Sequence, residues 1–376
     1  MAGKPRETRW KRGGRTEAKH RVLIEYLGAW IPIFGLQGWV HDLVLIDGFA
    51  GPGRYDGGEP GSPLLMLDAF EEHRDRDRLD VTAHFFFIEK DEARVKSLRE
   101  EIAARGEPAP DITIEIIHGD YAEKFPVVVN DARQRWPNCP IFAFIDPFGA
   151  DTKPELTANL LGLPRCEALT FVPIGYFADF FNAPDMQSTL GLVFGEEVFE
   201  RGANLDPVAR RELLVGMMEE RLRESCEWVR AIELVPTGGS GRTHHLFFGT
   251  NDKTGLARMK TAMWKLDPIG GVRFVDSTQP DQVVMFESEP DLTPLLSALK
   301  DHFGEREFTI EEAEDFTLGT AFLHDSQLKS KTLAPAERGG ELEAVDPPAD
   351  RRRNTYSTPG LRLRFIEPPP SNQSLF

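Results

Sequence analysis

Four short apolar runs in the first 150 residues each stop at an acid: LVLID at 43–47, FFFIE at 85–89, IEIIHGD at 114–120 and IFAFID at 141–146. They are rich in Val, Ile and Phe and apolar on both faces, which is how strands of a parallel sheet look when helices cover both sides. Further runs at Leu169–Val172, Leu246–Phe248 and Val272–Phe274 bring the expected strands to seven. The class is α/β with a mostly parallel sheet. In such sheets a ligand binds in the crevice outside the carboxyl ends of the strands, so acids ending four successive strands line one crevice.

Composition narrows the classes. Hydrophobic residues make up 40% and charged residues 28% of 376, which fits a folded chain of two to three domains and excludes a disordered one. Lys and Arg number 44 against 61 Asp and Glu, a net charge of −17; that disfavours unaided attachment to phosphate backbones or anionic lipid. Any nucleic-acid contact must be local. Cys139, Cys166 and Cys226 match no metal or redox spacing and suit buried thiols in a reducing compartment. No apolar run approaches the ~18 residues of a membrane span, and the amino terminus has no signal-like segment. The expected location is the cytoplasm, away from membranes.

Residues 1–40 combine a basic arm, with eight Lys and Arg between Lys4 and Arg21 against Glu7 and Glu17, and a helix whose stripe is Val22, Leu23, Tyr26, Leu27 and Trp30, ending at Pro32. The sheet domain is expected over 41–182 and 229–289, with a helical insertion at 183–228 forming a cap. From 290 to 376 three short helices precede a β-hairpin, the order of a winged helix. Its wing carries Arg351, Arg352, Arg353, Arg362 and Arg364, expected to touch phosphate; a solvated hairpin or a protein-contact surface is the alternative.

The chemistry concentrates at the strand ends. The first strand runs into Asp47, Gly48, Phe49, Ala50, Gly51, Pro52 and Gly53, where glycines let the backbone turn sharply and approach a ligand. A helix follows, with Ser62 as expected cap and Pro63 at its first position. With Asp47 at its mouth and no Walker Lys-Ser/Thr, this loop suits a cationic ligand better than a pyrophosphate. Glu89 ends the second strand, where a carboxylate can accept two hydroxyl hydrogen bonds from a ribose diol. Asp120 can accept from an adenine amine, with Tyr121 beside the ring. Asp146, Pro147 and Phe148 combine a carboxylate, a rigid carbonyl and an aromatic face, a trio able to position a planar amine. Tyr176, Phe177, Phe180 and Phe181 either wall a flat substrate or pack a helix. His244 and His245 are adjacent in an extended segment and point to opposite faces, so no metal site is expected.

These stations resemble those of class I S-adenosylmethionine (SAM) dependent methyltransferases. More closely, DGFAGPGRYDGGEPGSPLL, FFFIEKD, GDY, IDPFG and FFGTNDKTGLARMKTAMWKLDP resemble the three-Cys-motif partner proteins (TcmP), over about residues 19–365. The resemblance implies a Rossmann-like sheet ordered 3-2-1-4-5-7-6 with the seventh strand antiparallel. It also implies SAM bound through Asp47, Gly48, Phe49, Gly51, Gly53, Glu89, Asp120 and Tyr121, and a three-Cys-motif protein as partner. Where amino-methyltransferases acting on nucleic acid usually carry Asp/Asn-Pro-Pro-aromatic, this chain has Asp146-Pro147-Phe148-Gly149, which resembles the corner of tRNA guanine dimethyltransferases. The expected function is SAM-dependent methyl transfer to an amine of RNA, DNA or a partner-delivered substrate. A catalytically silent scaffold of the same fold, or a SAM-sensing DNA-binding regulator, are the other readings of such a chain.

Overall fold

Each apolar run overlaps a strand in the computed structural model, which describes residues 8–9, 14–147, 149, 152–235, 242–266, 273–275 and 291–366. The chain divides into two units, Met1–Ala262 with Arg273–Val283, and Met263–Val272 with Val284–Phe376.

The first unit holds strands β1 (Asp42–Asp47), β2 (Thr82–Glu89), β3 (Ile112–His118), β4 (Ile141–Ile145), β5 (Cys166–Val172), β6 (Trp228–Val235), β7 (His244–Thr250) and β8 (Arg273–Val275). They form one sheet in the order β3-β2-β1-β4-β5-β7-β6-β8. β7 runs antiparallel to both β5 and β6, and the other pairings are parallel. The first seven strands follow the order and the single reversal of the class I methyltransferase sheet, so the Rossmann-like fold stands. Among the described residues an eighth strand, β8, extends these seven at the β6 edge. β6 escapes the apolar-run criterion because Arg230 and Glu233 interrupt it and its burial alternates. The run expected as seventh belongs to β8, an edge strand beside β6.

Its helices are α1 (Gly14–Gly35), α2 (Ser62–Glu71), α3 (Glu92–Ala103), α4 (Tyr121–Arg135), α5 (Pro154–Leu161), α6 (Ile174–Asp179), α7 (Gln187–Phe194), α8 (Glu197–Gly202), α9 (Pro207–Arg223) and most of α10 (Lys253–Leu266), whose residues from Met263 on fall in the second unit. The stripe expected on α1 is fully buried, and burial of such side chains stabilises by about 1.5–3 kcal/mol each. Pro32 does not end α1, which continues to Gly35. A helical proline frees the carbonyl four residues earlier, and here the Gly28 carbonyl is met by His73 Nε2 at 3.0 Å. Tyr26 ties α1 to the sheet by donating to Glu167 Oε2 at 2.5 Å. Burial pushes the Glu167 carboxyl up to about 7. Within 183–228, α9 packs on α5, α6, β6 and β7, and its Leu214, Met217, Met218 and Leu222 belong to the same apolar core as Ile46 and Ile145.

The second unit contains α11 (Thr293–Phe303), β9 (Phe308–Thr309), α12 (Ile310–Leu318), a π-helical stretch at His324–Leu333, α13 (Ala334–Gly339), β10 (Leu342–Val345) and β11 (Arg362–Phe365). β11 lies between β10 and β9, antiparallel to both. Thr309 and Glu312 cap α12 reciprocally, the capping box that satisfies two N–H groups left over at a helix start. A core of its own runs from Leu295 to Phe365. No helix among the described residues is long and apolar enough to cross a membrane.

Candidate functional site

The parallel register brings the carboxyl ends of β1 to β4 to one edge. After Asp47 the backbone is held by neighbouring strands: Gly48 N–H donates to the Phe144 carbonyl and Ala50 N–H to the Ile88 carbonyl, both at 2.9 Å. Gly51 N–H donates to Glu89 Oε2 at 2.9 Å. A Cβ at Gly48 would lie 2.8 Å from the Tyr121 ring, and Gly51 and Gly53 have φ of 65° and 87°, where a side chain is strained. The far part of the loop is pinned to α3, with Arg54 Nε on Glu101 Oε2 at 2.8 Å and Ser97 Oγ donating to the Pro52 carbonyl at 3.0 Å. The cap of α2 is Gly61 rather than Ser62; Ser62 is the first helical residue and is buried next to Asp47.

Glu89 is buried, and both its oxygens are oriented by main-chain donors, Oε2 by Gly51 and Oε1 by Asp91 N–H at 2.7 Å. Each carboxylate oxygen keeps a second lone-pair direction for a ligand hydroxyl. Asp120 caps α4 through Ala122 N–H at 2.9 Å. Its hydrogen bond to Lys90 Nζ at 2.6 Å, helped by that cap, holds it below the usual carboxylate range. Tyr121 is buried with its ring 4.8 Å from Phe49 and 4.9 Å from Phe125. Gly48, Phe49, Glu89, Asp120 and Tyr121 line one cavity of about 330 Å³.

Asp47 is fully buried. Burial pushes its carboxyl up to about 7; the Ser62 hydroxyl and the Phe49 N–H offset part of this, and the like charges of Asp146 and Glu89 add to it. Oδ1 accepts from Phe49 N–H at 3.0 Å. Oδ2 has no hydrogen-bond partner among the described residues. A buried carboxylate oxygen without a donor is costly, and a cation brought near it would relieve the cost.

Asp146 lies at a second cavity of about 240 Å³, walled by Phe49, Gly51, Gly53, Pro147, Phe171 and His244. Lys19 of α1 enters this cavity and donates to Asp146 Oδ1 at 2.8 Å and Oδ2 at 2.6 Å. Its Nζ also sits 4.0 Å from the centre of the Phe171 ring, which stacks on His244 at 5.0 Å. Lys19, Phe171 and His244 are functional candidates that sequence reasoning missed. Lys19 was legible only as one basic residue of an arm, and its partner is 127 residues away. Phe148 lies outside the described residues.

Phe177 and Phe181 are buried in the core, while Tyr176 and Phe180 pair at 4.8 Å beneath Arg242; none lines either cavity. His244 faces the second cavity, and His245 is buried, which lowers it to about 4. The cysteines are free and buried, and burial raises each thiol to about 11.

The wing arginines are largely committed within their own unit. Arg351 is not an exposed phosphate contact: its side chain is 5% exposed and grips Glu337 through two bonds of 2.9 Å. Arg353 donates to the Glu337 carbonyl, Arg362 pairs with Glu307 and Asp346, and Arg364 with Glu343. Arg352 is exposed. Acids of the same unit pair with Arg351, Arg362 and Arg364, and of these only the Arg351 pair is buried.

Gly48→Ala is expected to destabilise the first unit by about 1–3 kcal/mol, the usual cost of overpacking, because Tyr121 is wedged between Phe49 and Phe125 and has nowhere to go. Gly28→Ala, with nothing within 4 Å of the added Cβ, should instead gain up to ~1 kcal/mol of helix propensity. Urea titration of both variants checks the pair, and equal effects would show that the Tyr121 contact does not govern position 48.

No family model matches the chain, and neither does any curated protein. Among solved structures it is similar to the complex of Trm1 from Pyrococcus horikoshii with S-adenosyl-L-methionine, at 10% identity over 96% of this chain and 93% of that one, TM-score 0.39. It is similar also to a putative methyltransferase from Porphyromonas gingivalis W83, at 13% identity over 60% of this chain and 40% of the other, TM-score 0.28. A third is spermidine synthase from Thermotoga maritima, at 13% identity over 63% and 61%, TM-score 0.32.

Proposed function

We propose that the protein is a SAM-dependent methyltransferase whose acceptor is an amine. The observation that carries this reading is the convergence of Asp47, Glu89 and Asp146 at one sheet edge, with Asp47 Oδ2 buried and unpaired. A buried Asp47, raised further by the like charges of Asp146 and Glu89, beside a glycine loop and the diol-competent Glu89 fits a cationic ligand that also bears a diol.

The residues present fit SAM. Glu89 would hold the ribose, Asp120 and Tyr121 the adenine side, and Asp47 would offer counter-charge, while Gly48, Gly51 and Gly53 leave room for the loop beside Phe49 to close on the ligand. When bound, SAM supplies a methyl on a positively charged sulfur, and the protein's part is positioning and electrostatics. Asp146 and the Pro147 carbonyl would orient an acceptor nitrogen, and Asp146 would take its proton. RNA, DNA or a partner-delivered amine remain the acceptors in view. A three-Cys-motif partner is supported by the sequence resemblance, and a winged-helix-like second unit by strand β9 between α11 and α12 followed by the β10–β11 pair.

Calorimetric titration with SAM tests the reading, and its pH dependence tests the role of Asp47. The folded-state carboxyl is raised from 3.8 to about 7, so folding is favoured by the protonated form and loses that stabilisation as pH rises from 3.8 through 7. A cation prefers the ionised form, so SAM affinity should rise by about tenfold per pH unit below 7 and level off above it. Asp47→Asn should flatten the profile. Absence of binding at pH 8 by a folded sample would overturn the proposal.

The Lys19 bridge favours a second reading. With Lys19 held on both Asp146 oxygens, an incoming amine would have to compete with an internal one for that carboxylate, as a silent scaffold would have it. A stable complex with a partner and no methylated product from any substrate would be its outcome.

A further inference from the structure

Lys19 is presented to the corner by a rigid element. The helix beneath it is anchored by the fully buried Val22, Leu23 and Tyr26, and by the Tyr26 bond to Glu167. Its side chain is only 10% exposed and Asp146 is 20% exposed. The amine therefore meets two features at once, a carboxylate holding it through both oxygens and an aromatic face 4.0 Å away. In the proposed function Asp146 is a group that orients an acceptor nitrogen, and the cavity that it shares with Phe171 also includes Pro147 and the glycine loop at Gly51 and Gly53. Phe171 adds a chemical preference: an aromatic face binds an ammonium more favourably as its hydration is stripped, which is how aromatic sites recognise methylated lysine.

The geometry points to Lys19 as an internal acceptor, a self-methylation site of this protein. The inference rests on the proposed methyl-transfer reading and deepens it by naming an acceptor of that site, a primary alkyl amine. In the step, Lys19 Nζ first gives a proton to Asp146. Its lone pair then forms an N–C bond to the methyl of the sulfonium donor as the S–C bond breaks. The sulfur keeps that electron pair and leaves as the neutral thioether S-adenosylhomocysteine, Lys19 becomes a methylammonium, and Asp146 passes its proton to solvent. The product stays cationic, so it can keep the Asp146 pairing and the Phe171 face while losing one N–H donor. A protein methylated in this way carries its own occupant at the corner, and an external amine must displace it.

The experiment uses the whole chain in three arms. Without cofactor, an amine-acylating reagent should modify Lys19 about tenfold more slowly than Lys96, which is 78% exposed, since one charge-assisted hydrogen bond is worth about that factor; Asp146→Asn should remove the protection. With SAM, intact mass and peptide mapping should find methyl on Lys19, at a rate per molecule independent of protein concentration, absent in Lys19→Arg and strongly reduced in Asp146→Asn, with thermal melting showing that both variants are folded. SAM binding is measured calorimetrically on the same samples. SAM bound without methyl on Lys19, Lys19 as reactive as Lys96, or a rate that scales with concentration would each overturn the inference while leaving the methyltransferase reading standing. No SAM binding by the folded wild type would remove that reading, and the inference with it.

Discussion

Glu89→Ala is expected to weaken binding of both SAM and S-adenosylhomocysteine by roughly ten- to a hundredfold, the worth of one or two hydrogen bonds to a charged group. The substitution acts twice. It removes the acceptor for a ribose diol, and it leaves Gly51 N–H and Asp91 N–H without the oxygens that now orient them, so the glycine loop loses a tie to β2. Glu89→Gln should not rescue binding, because each side-chain oxygen now faces an N–H donor and an amide NH2 would meet one of them head-on. The two ligands separate the possible causes. They share the ribose and differ in charge at sulfur, so equal losses identify a ribose anchor, whereas a loss confined to SAM would make Glu89 a charge partner instead. Unchanged affinity for both would place the ribose elsewhere.

Glu337→Ala should cost the second unit about 3–5 kcal/mol, the usual penalty for removing one partner of a buried ion pair. Glu337 is 4% exposed and accepts two bonds from Arg351, one from Asn354 N–H at 3.1 Å and one from the Tyr356 hydroxyl at 2.7 Å. Burial alone would raise its carboxyl, but the Arg351 and Tyr356 hydrogen bonds outweigh that and hold it below the usual range. Such a depressed acid contributes stability above its unfolded value of 4.5 and loses it as pH falls through its lower folded value, so the unit should lose the stabilisation of this clasp only below about pH 4.5. Hydrogen exchange of the wild type and Glu337→Ala should show protection lost over 334–366 and kept in the sheet of the first unit. Retained protection over 334–366 would mean that the apolar core from Leu295 to Phe365 holds the wing without this clasp. A charge reversal at Arg351 should behave as Glu337→Ala does, so loss of nucleic-acid retention in such a variant would report unfolding rather than a lost phosphate contact.

The strands and the acid-bearing sheet edge were legible because both are short-range. An unbroken apolar run of four to six residues can be satisfied only by burial on both faces, and the acid or glycine that follows marks where it surfaces. β6 was not legible, since Arg230 and Glu233 break the run and its place between β7 and β8 depends on pairing rather than on its own pattern. The cap of α2 was misplaced by one residue because Gly61 and Ser62 both suit the position, and Ser62 is drawn inward next to the buried Asp47.

Charge was where local reasoning failed most. By itself the sequence determined the fold class, the glycine loop and the acids at four strand ends, because each follows from neighbours along the chain. Only the tertiary structure decided what the cations do. Lys19 turned from a basic arm to Asp146, and Arg351 from a wing surface to Glu337. A charged side chain is long, flexible and indifferent to which opposite charge it meets, so its partner is chosen by what folding brings within reach and by the cost of leaving a buried charge alone.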